Sequence, residues 1–284
     1  MISVLITFVM GFSAEDFSFR VEVLKDTFYQ MMTVVPSVIL KNVSGDTLYV
    51  KGPDYKLHLL DSEGEELERR VIVEDLVVRT GRGWRSMLPG DSVVEFGDEF
   101  FYLYAGSVGL EPGEYIVRCE GSVSVRGYGE LELSEVEDTF WVVEPEGEER
   151  EAFEFLKKFY SPSMGYFLKQ RYNFPKGKTR YRYYLEFLQK FPHSIYTPLV
   201  LSLYASASIL AGKRSEWLEA RKRLITEFPD TYEAYTGAMQ LADMAREEVL
   251  PFLREVVEKH PNSLAALGVR KVISEGELME GGGR

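Results

Sequence analysis

The sequence predicts a multidomain protein of the β plus α class, with an antiparallel β-sandwich in its first half and an array of α-helical hairpins in its second half. Short segments in which apolar and polar residues alternate, separated by turn residues, occupy residues 17–143. Three proline-centred segments with helical spacing of apolar residues follow after residue 180. Alternation indicates half-buried strands, whereas a period near 3.6 indicates amphipathic helices.

The charge of the chain changes at the same place as its pattern. Residues 1–156 hold 13 basic and 31 acidic side chains, a net charge of −18, whereas residues 157–284 hold 20 and 14, a net charge of +6. Glu144-Pro-Glu-Gly-Glu-Glu-Arg150 lies at the junction and has the composition of a linker. Such asymmetry indicates separate domains, which we expect at residues 15–145 and 146–284.

The amino terminus begins with an uncharged apolar segment at residues 2–12. A helix needs about 20 apolar residues to cross a bilayer, so this segment is too short to span one. Its length fits the apolar region of a secretory signal peptide, and Gly11, Ser13 and Ala14 supply small residues near a cleavage point. We therefore expect residues 1–14 to be a signal peptide and the protein to be secreted, periplasmic or on the cell surface. A buried first strand is the alternative.

The β half shows its clearest alternation where Phe17, Phe19, Val21 and Val23 are separated by polar residues. The apolar segment Val34–Leu40 ends at a cluster of turn residues, 42–46. The remaining predicted strands lie at 47–50, 55–60, 70–73, 76–78, 92–96, 100–104, 116–118, 128–133 and 139–143. Many short strands with turns at this spacing predict a sandwich or a barrel.

Two motifs in this half resemble those of bacterial immunoglobulin-like sandwich domains of extracytoplasmic proteins. They are Pro36-Ser-Val-Ile-Leu-Lys-Asn-Val-Ser-Gly45 and Leu110-Glu-Pro-Gly-Glu-Tyr115. In those domains a Pro-Gly-x-Tyr turn opens a late strand, because proline presets the turn and glycine permits a positive φ. The resemblance covers about residues 17–143 and implies an immunoglobulin-like fold. The Cys…Trp…Cys pattern of antibody domains is absent from the sequence.

The helical half repeats a proline turn at Pro192, Pro229 and Pro261, which are 37 and 32 residues apart. Each proline follows an amphipathic segment that it cannot continue as a helix. Two residues after each proline stands Ser194, Thr231 or Ser263, and such residues cap the start of a helix. The predicted unit is therefore helix, proline turn, helix, with second helices at 196–210, 232–245 and 264–273. Residues 149–160 predict a further helix that caps the array.

The phrase Phe-Pro-x-Ser/Thr resembles the tetratricopeptide repeat, in the divergent form found in periplasmic and outer-membrane assembly proteins. The resemblance covers about residues 180–275. It implies stacked repeats that bury a continuous core and present a concave surface to a protein or peptide partner.

Catalytic motifs are missing from the sequence. Pro175-Lys-Gly-Lys-Thr179 is not a phosphate-binding loop, because Tyr172 stands where that loop requires glycine. Cys119 is the one cysteine, and its place in a predicted strand indicates a buried, inert thiol. His58 lies between Leu57 and Leu59 and is expected to be an exposed strand residue. We therefore expect no enzymatic activity, no cofactor and no metal.

A basic and aromatic segment, residues 157–190, is the strongest local departure in composition. It holds nine Lys or Arg, ten Phe or Tyr, and one acid, Glu186. Its candidate partner-binding residues are Tyr172, Lys176, Lys178, Arg180, Tyr181, Arg182 and Tyr183. Cations neutralise an anionic polymer while rings stack on it, so the segment fits an anionic glycan or lipid headgroups. Alternatively, its rings are core residues and its cations face the acidic first half.

These observations favour an exported, non-enzymatic interaction or scaffold protein that binds a protein or peptide partner through its helical repeats. The alternative is a cell-envelope binder of an anionic glycan or lipid that uses residues 157–190. A net charge of −12 argues against a protein that coats nucleic acid with its whole surface, and for an exported protein nucleic acid is the least expected partner. We also expect no transmembrane helix.

Overall fold

A computed structural model of the chain describes residues 13–67, 78–79, 83–96, 110–158, 178–244 and 246–281; of residues 78–79, 178–180, 246 and 273–281 it describes the backbone. The chain divides into two compact units. One comprises Met1–Gln30 and Val34–Val143, and the other comprises Met31–Thr33 and Glu144–Arg284. We call them the β unit and the helical unit. The predicted signal peptide at residues 1–14 lies outside the described residues except for its last two.

The described part of the β unit forms two sheets. Its strands are β1 (Phe17–Val23), β2 (Thr27–Tyr29), β3 (Pro36–Asn42), β4 (Leu48–Asp61), β5 (Val78–Arg79), β6 (Arg85–Met87), β7 (Ser92–Phe96), β8 (Gly113–Val125) and β9 (Gly129–Val143). The smaller sheet has the order β1-β3-β7, and the larger has the order β2-β9-β8-β4-β5, with β6 also pairing with β4. All these pairs are antiparallel except β2 with β9.

The two sheets pack face to face as a β-sandwich. The ring of Phe19 on β1 lies over Gly121 on β8, and the Tyr55 hydroxyl on β4 donates to the Phe96 carbonyl on β7 at 3.3 Å. Phe17, Phe19 and Val21 are buried, as their alternation predicts. The core therefore lies between the sheets, and most polar strand residues face outward.

The predicted turn after β3 is organised by a buried asparagine. The Asn42 amide donates to the Met87 carbonyl at 3.0 Å and to the Asp46 carbonyl at 2.8 Å. Its Oδ1 accepts from the backbone and the hydroxyl of Ser44. Asn42 is fully buried and its polar side chain is satisfied on both sides, which explains why this residue ends the apolar strand.

Two pairs of predicted strands form single long strands. The predicted strands at 47–50 and 55–60 both belong to β4, which continues through Gly52-Pro53 by a shift of register between Lys51 and Asp54. Similarly, the predicted strands at 128–133 and 139–143 both belong to β9. Turn-forming residues therefore mark a bulge in β4 rather than its end. The predicted strands at 70–73 and 100–104, and the start of that at 76–78, lie outside the described residues.

The helical unit contains seven helices among the described residues. They are α1 (Gly147–Lys157), α2 (Lys178–Lys190), α3 (Thr197–Leu210), α4 (Arg214–Glu227), α5 (Tyr232–Met244), α6 (Arg246–Lys259) and α7 (Leu264–Gly281). Pro192, Pro229 and Pro261 lie between α2 and α3, α4 and α5, and α6 and α7, where the sequence predicts turns. The Phe155 ring of α1 contacts the rings of Phe187 and Phe191, with centroids 5.9 Å apart in both pairs.

The predicted caps after two of the prolines are confirmed. Thr231 Oγ1 accepts from the Ala234 amide at 3.3 Å, and Ser263 Oγ accepts from the Ala266 amide at 3.1 Å. Ser194 differs, because its Oγ accepts from the Tyr196 amide, which precedes α3, and donates to Glu149. Ser194 therefore orders the turn and ties it to α1, while α3 begins at Thr197.

Candidate functional site

A groove lies between α2, α3 and α4 of the helical unit and has a volume of about 450 Å³. Its apolar surface comes from Leu185, Leu188, Leu201 and Ala220. Its polar surface comes from Gln189, Tyr204, Ser215, Glu216, Glu219 and Arg223. An apolar floor with a few polar groups is the usual composition of a binding groove.

Three helices supply the lining residues at helical spacing. Glu216, Glu219, Ala220 and Arg223 follow the i, i+3, i+4, i+7 pattern, so they share one face of α4. Leu188 belongs to α2, and it is buried beneath the more exposed polar residues. The groove is thus a product of how neighbouring helices pack.

A hydrogen-bonded chain of side chains forms one end of the groove. The Tyr204 hydroxyl donates to Glu216 Oε2 at 2.8 Å and lies 2.9 Å from the Tyr181 hydroxyl. Because the Tyr204 proton points to the carboxylate, Tyr181 is the donor in the second bond. Lys213 Nζ lies 2.8 Å from Glu216 Oε1 and 4.0 Å from the centroid of the Tyr181 ring.

These contacts hold the Tyr204 ring in one orientation at the groove. The Tyr204 hydroxyl is protonated at neutral pH and can donate, and burial raises its pKa further above the ordinary value. Glu216 is neutralised by Lys213. This end of the groove therefore presents hydrogen-bonding groups that are already ordered.

Two polar residues that line the rest of the groove, Arg223 and Glu219, differ in their hydrogen bonding. Arg223 Nε donates to Glu227 Oε2 at 3.0 Å, and its Nη2 donates to the Pro192 carbonyl at 2.9 Å. Glu219 is exposed and has no ion-pair partner in the part of the chain that the structure describes. The groove thus offers a free carboxylate beside its apolar floor.

The sequence-predicted partner-binding residues are placed unequally. Tyr172 and Lys176 lie outside the described residues, and Lys178 and Arg180 lie in α2 with only their backbone described. Tyr181 and Tyr183 are half-buried and Arg182 is exposed, all on α2. Tyr181 contacts the groove residue Tyr204, so one predicted residue lies at the candidate site.

The groove itself was missed by sequence reasoning. Its α4 residues carry the signal that could have found it, because two acids, one alanine and one arginine share a helical face at 216, 219, 220 and 223. That face is too polar for a core-facing stripe. The sequence instead drew attention to the rings of residues 181–191, and of these Tyr184, Phe187 and Phe191 are buried.

His58 is not the exposed residue that its alternation predicts. It is buried, because Glu66 returns over the outer face of the sheet after the turn at 61–65. Its Nδ1 lies 2.9 Å from Glu66 Oε1, and its Nε2 lies 3.5 Å from Glu120 Oε1. Alternation assigns a residue to a face of the sheet, and it does not reveal a neighbouring segment that covers that face.

Cys119 is buried, as the sequence predicts. Burial raises the pKa of its thiol to about 12, with a smaller contribution from Glu120. In the described residues, no group of three or more His, Cys, Asp or Glu side chains could hold a metal ion. The helices described are each too short or too polar to cross a membrane.

No protein-family model and no curated protein matches this sequence. Among solved structures, the CARDB domain of a Pyrococcus furiosus protein is 14% identical, with a TM-score of 0.24, over 45% of this chain and 88% of that chain. An Escherichia coli alpha-2-macroglobulin fragment is 9% identical, with a TM-score of 0.27, over 91% of this chain and 54% of that chain. At TM-scores this low, neither likeness bears on the function of this chain.

Proposed function

We propose that this chain is an exported, non-enzymatic interaction protein whose helical unit binds a protein or peptide segment. The α2–α3–α4 groove is the observation that carries the proposal. It combines a buried apolar floor with ordered polar groups, and its volume is large enough for a few side chains of a partner. In this proposal the β unit is a second recognition module or a spacer.

The finer fold assignments belong to the same proposal. The helix, proline turn, helix units with capped second helices support a tetratricopeptide-like array. The two face-to-face sheets, antiparallel except where β2 pairs with β9, support an immunoglobulin-like sandwich. An array of this kind serves to bind partners, although a fold alone does not determine function. Export is supported by the apolar segment at residues 2–12.

The alternative use of residues 157–190, as a site for an anionic glycan or lipid, has less support. Lys157 Nζ lies over the Phe153 ring at 5.5 Å, and Lys190 Nζ lies over the Phe191 ring at 4.7 Å. Two of the described cations therefore pack on rings of the chain itself. We retain the peptide-binding function as the single proposal.

A pair of matched variants tests the groove. Ser215 and Thr226 are both exposed on α4, and only Ser215 lines the groove. The full chain is used to select peptides from a random display library, and the selected peptides are titrated against Ser215→Arg and Thr226→Arg. We expect a loss of at least about tenfold in affinity for Ser215→Arg, because the long side chain occupies the groove, and no change for Thr226→Arg.

The proposal is wrong if the library yields no peptide, or if every selected peptide binds the two variants equally well. Circular dichroism of both variants checks that the helices are intact. A substitution at an exposed helix position has little effect on folding, so a lost affinity then reports on the groove.

A further inference from the structure

The floor and the walls of the α2–α3–α4 groove differ in chemistry. α3 packs against both α2 and α4, and its buried Leu201 lies between them. Leu188 of α2 and Ala220 of α4 are also buried and extend this apolar floor. Gln189 of α2 and Glu219 of α4 line the groove as well, and both are exposed. The groove therefore opens to solvent between two polar walls.

The dimensions of the groove limit what it can hold. Its lining residues on α4 run from Glu216 to Arg223, which is about 10 Å along a helix that rises 1.5 Å per residue. An extended chain advances about 3.3 Å per residue, so about three residues of a partner fit along this length. Because the floor consists of leucine and alanine side chains, covering it favours an aliphatic side chain on that partner.

The charges at the groove are not balanced. Among the described lining residues, Glu216, Glu219 and Arg223 are charged. Glu216 Oε1 lies 2.8 Å from Lys213 Nζ, and Arg223 Nε donates to Glu227 Oε2 at 3.0 Å. Each of these two charges is therefore compensated by a residue three or four positions away. The Glu219 carboxylate forms no ion pair with any residue that the structure describes, so the lining keeps one uncompensated negative charge.

We propose that the groove selects peptide segments in which an aliphatic side chain stands beside a lysine or an arginine, and that Glu219 binds the cation. This inference rests on the peptide-binding function proposed above and names the chemistry of the peptide. The aliphatic side chain covers Leu188 and Leu201, while the basic side chain stays at the open side of the groove beside Glu219. An acidic residue in its place would meet a like charge, which gives the groove specificity.

The sequences of selected peptides provide the first test. One random display library is selected in parallel against the full wild-type chain, Glu219→Lys and Glu186→Lys. Glu186 is an exposed carboxylate on α2 that does not line the groove, and its substitution changes the net charge by the same amount. We expect the wild type and Glu186→Lys to enrich Lys or Arg within two positions of an aliphatic residue. Glu219→Lys should instead enrich Asp or Glu there.

Affinities of one selected peptide provide the second test. Glu219→Gln keeps the shape of the side chain and removes its charge, so the affinity should fall by about three- to tenfold. Replacing the basic residue of the peptide by glutamine should cost as much, and the two changes together should cost no more than either alone. The loss should shrink at high ionic strength, where an exposed ion pair is screened. Glu186→Gln should bind the peptide as the wild type does.

The failure of this inference differs from the failure of the peptide-binding function. If Ser215→Arg abolishes binding while Glu219→Gln and Glu186→Gln bind equally well, the groove binds peptides and the role of Glu219 is overturned. Selected peptides without an enriched basic residue overturn it as well. If Ser215→Arg and Thr226→Arg bind the selected peptides equally well, the peptide-binding function itself is wrong, and this inference fails with it.

Discussion

Phe19 and Gly121 face each other across the two sheets, and a Cβ on Gly121 would lie 2.6 Å from Cζ of the Phe19 ring. Phe19 belongs to β1 of the smaller sheet, and Gly121 belongs to β8 of the larger sheet. The Phe19 ring therefore fills the space that a side chain at position 121 would occupy. This contact gives a glycine inside a strand a packing role, since glycine otherwise weakens a strand.

Gly121→Ala should destabilise the β unit. The new methyl group must displace the Phe19 ring, and overpacking of this kind costs about 1–3 kcal/mol. Urea unfolding followed by near-ultraviolet circular dichroism measures the effect as a lower midpoint. Gly113→Ala, on the same strand, is the control, because a Cβ there would meet only Tyr115 Cε2 at 3.8 Å. Equal midpoints for the two variants would contradict the packing argument.

Two glycines on helices should differ in how their substitution by alanine changes the stability of the helical unit. A Cβ on Gly268 of α7 would lie 2.6 Å from the Tyr235 carbonyl oxygen of α5, so Gly268→Ala must push the helices apart. A Cβ on Gly237 would meet Leu224 at 3.4 Å, which is an ordinary contact. Alanine is a better helix former than glycine by about 1 kcal/mol.

We therefore expect Gly268→Ala to lower the unfolding midpoint of the helical unit and Gly237→Ala to leave it unchanged or raise it. Far-ultraviolet circular dichroism during thermal unfolding measures both. If Gly268→Ala is as stable as Gly237→Ala, the approach of α7 to α5 at Tyr235 is not what stabilises this pair of helices.

The cap at Ser263 supports the start of α7. Its hydroxyl accepts from the Ala266 amide at 3.1 Å and donates to the His260 carbonyl at 2.8 Å. Ser263→Ala removes both bonds and should cost about 1 kcal/mol. Ser263→Thr keeps the hydroxyl and should stay within about 0.5 kcal/mol of the wild type. Urea unfolding of the wild type, Ser263→Ala and Ser263→Thr measures the three stabilities. If Ser263→Ala is as stable as Ser263→Thr, Ser263 has no capping role.

Alternation and helical spacing in the sequence predicted most of the described elements, because each buried face depends on residues that are close together in the chain. The alternation around Phe19 and the apolar spacing before Pro229 each determine a buried face, and the structure places these faces inside. The extent of β4 was not predictable in the same way. Its register shift at Gly52-Pro53 depends on pairing with β8, which is distant in sequence. A turn signal cannot tell a bulge from a strand end.

The groove and the Arg221 environment were less predictable, since both arise where separate helices meet. Glu216 shares a polar face of α4 with Glu219 and Arg223, and it becomes a groove residue because α3 brings Tyr204 to within 2.8 Å of it. By residue type Arg221 is expected at the surface, although it shares a helical face with the buried Trp217, Leu224 and Ile225. Its burial depends on Ser202 and Gly237, which lie on neighbouring helices. Tertiary neighbours of this kind override the local pattern.

The Cys119 thiol should be unreactive in the folded protein. Burial raises its pKa from 9.0 to about 12, so almost no thiolate is present at pH ~8. Iodoacetamide should therefore alkylate Cys119 only after unfolding in urea, as measured by mass spectrometry. Rapid alkylation of the folded chain would contradict both the burial and the raised pKa.

The same shift makes stability depend on pH in the alkaline range. The folded state holds the Cys119 proton above pH 9, where the unfolded chain loses it, so the contribution of this thiol is complete below pH ~9 and is lost as the pH rises towards ~12. Tyrosine and lysine ionisation also act in this range, and comparison with Cys119→Ala cancels them. The wild-type protein should lose about 1–3 kcal/mol more than Cys119→Ala between pH ~8 and ~11, measured by urea unfolding. Parallel losses in the two proteins would show that the thiol has an ordinary pKa in the folded state.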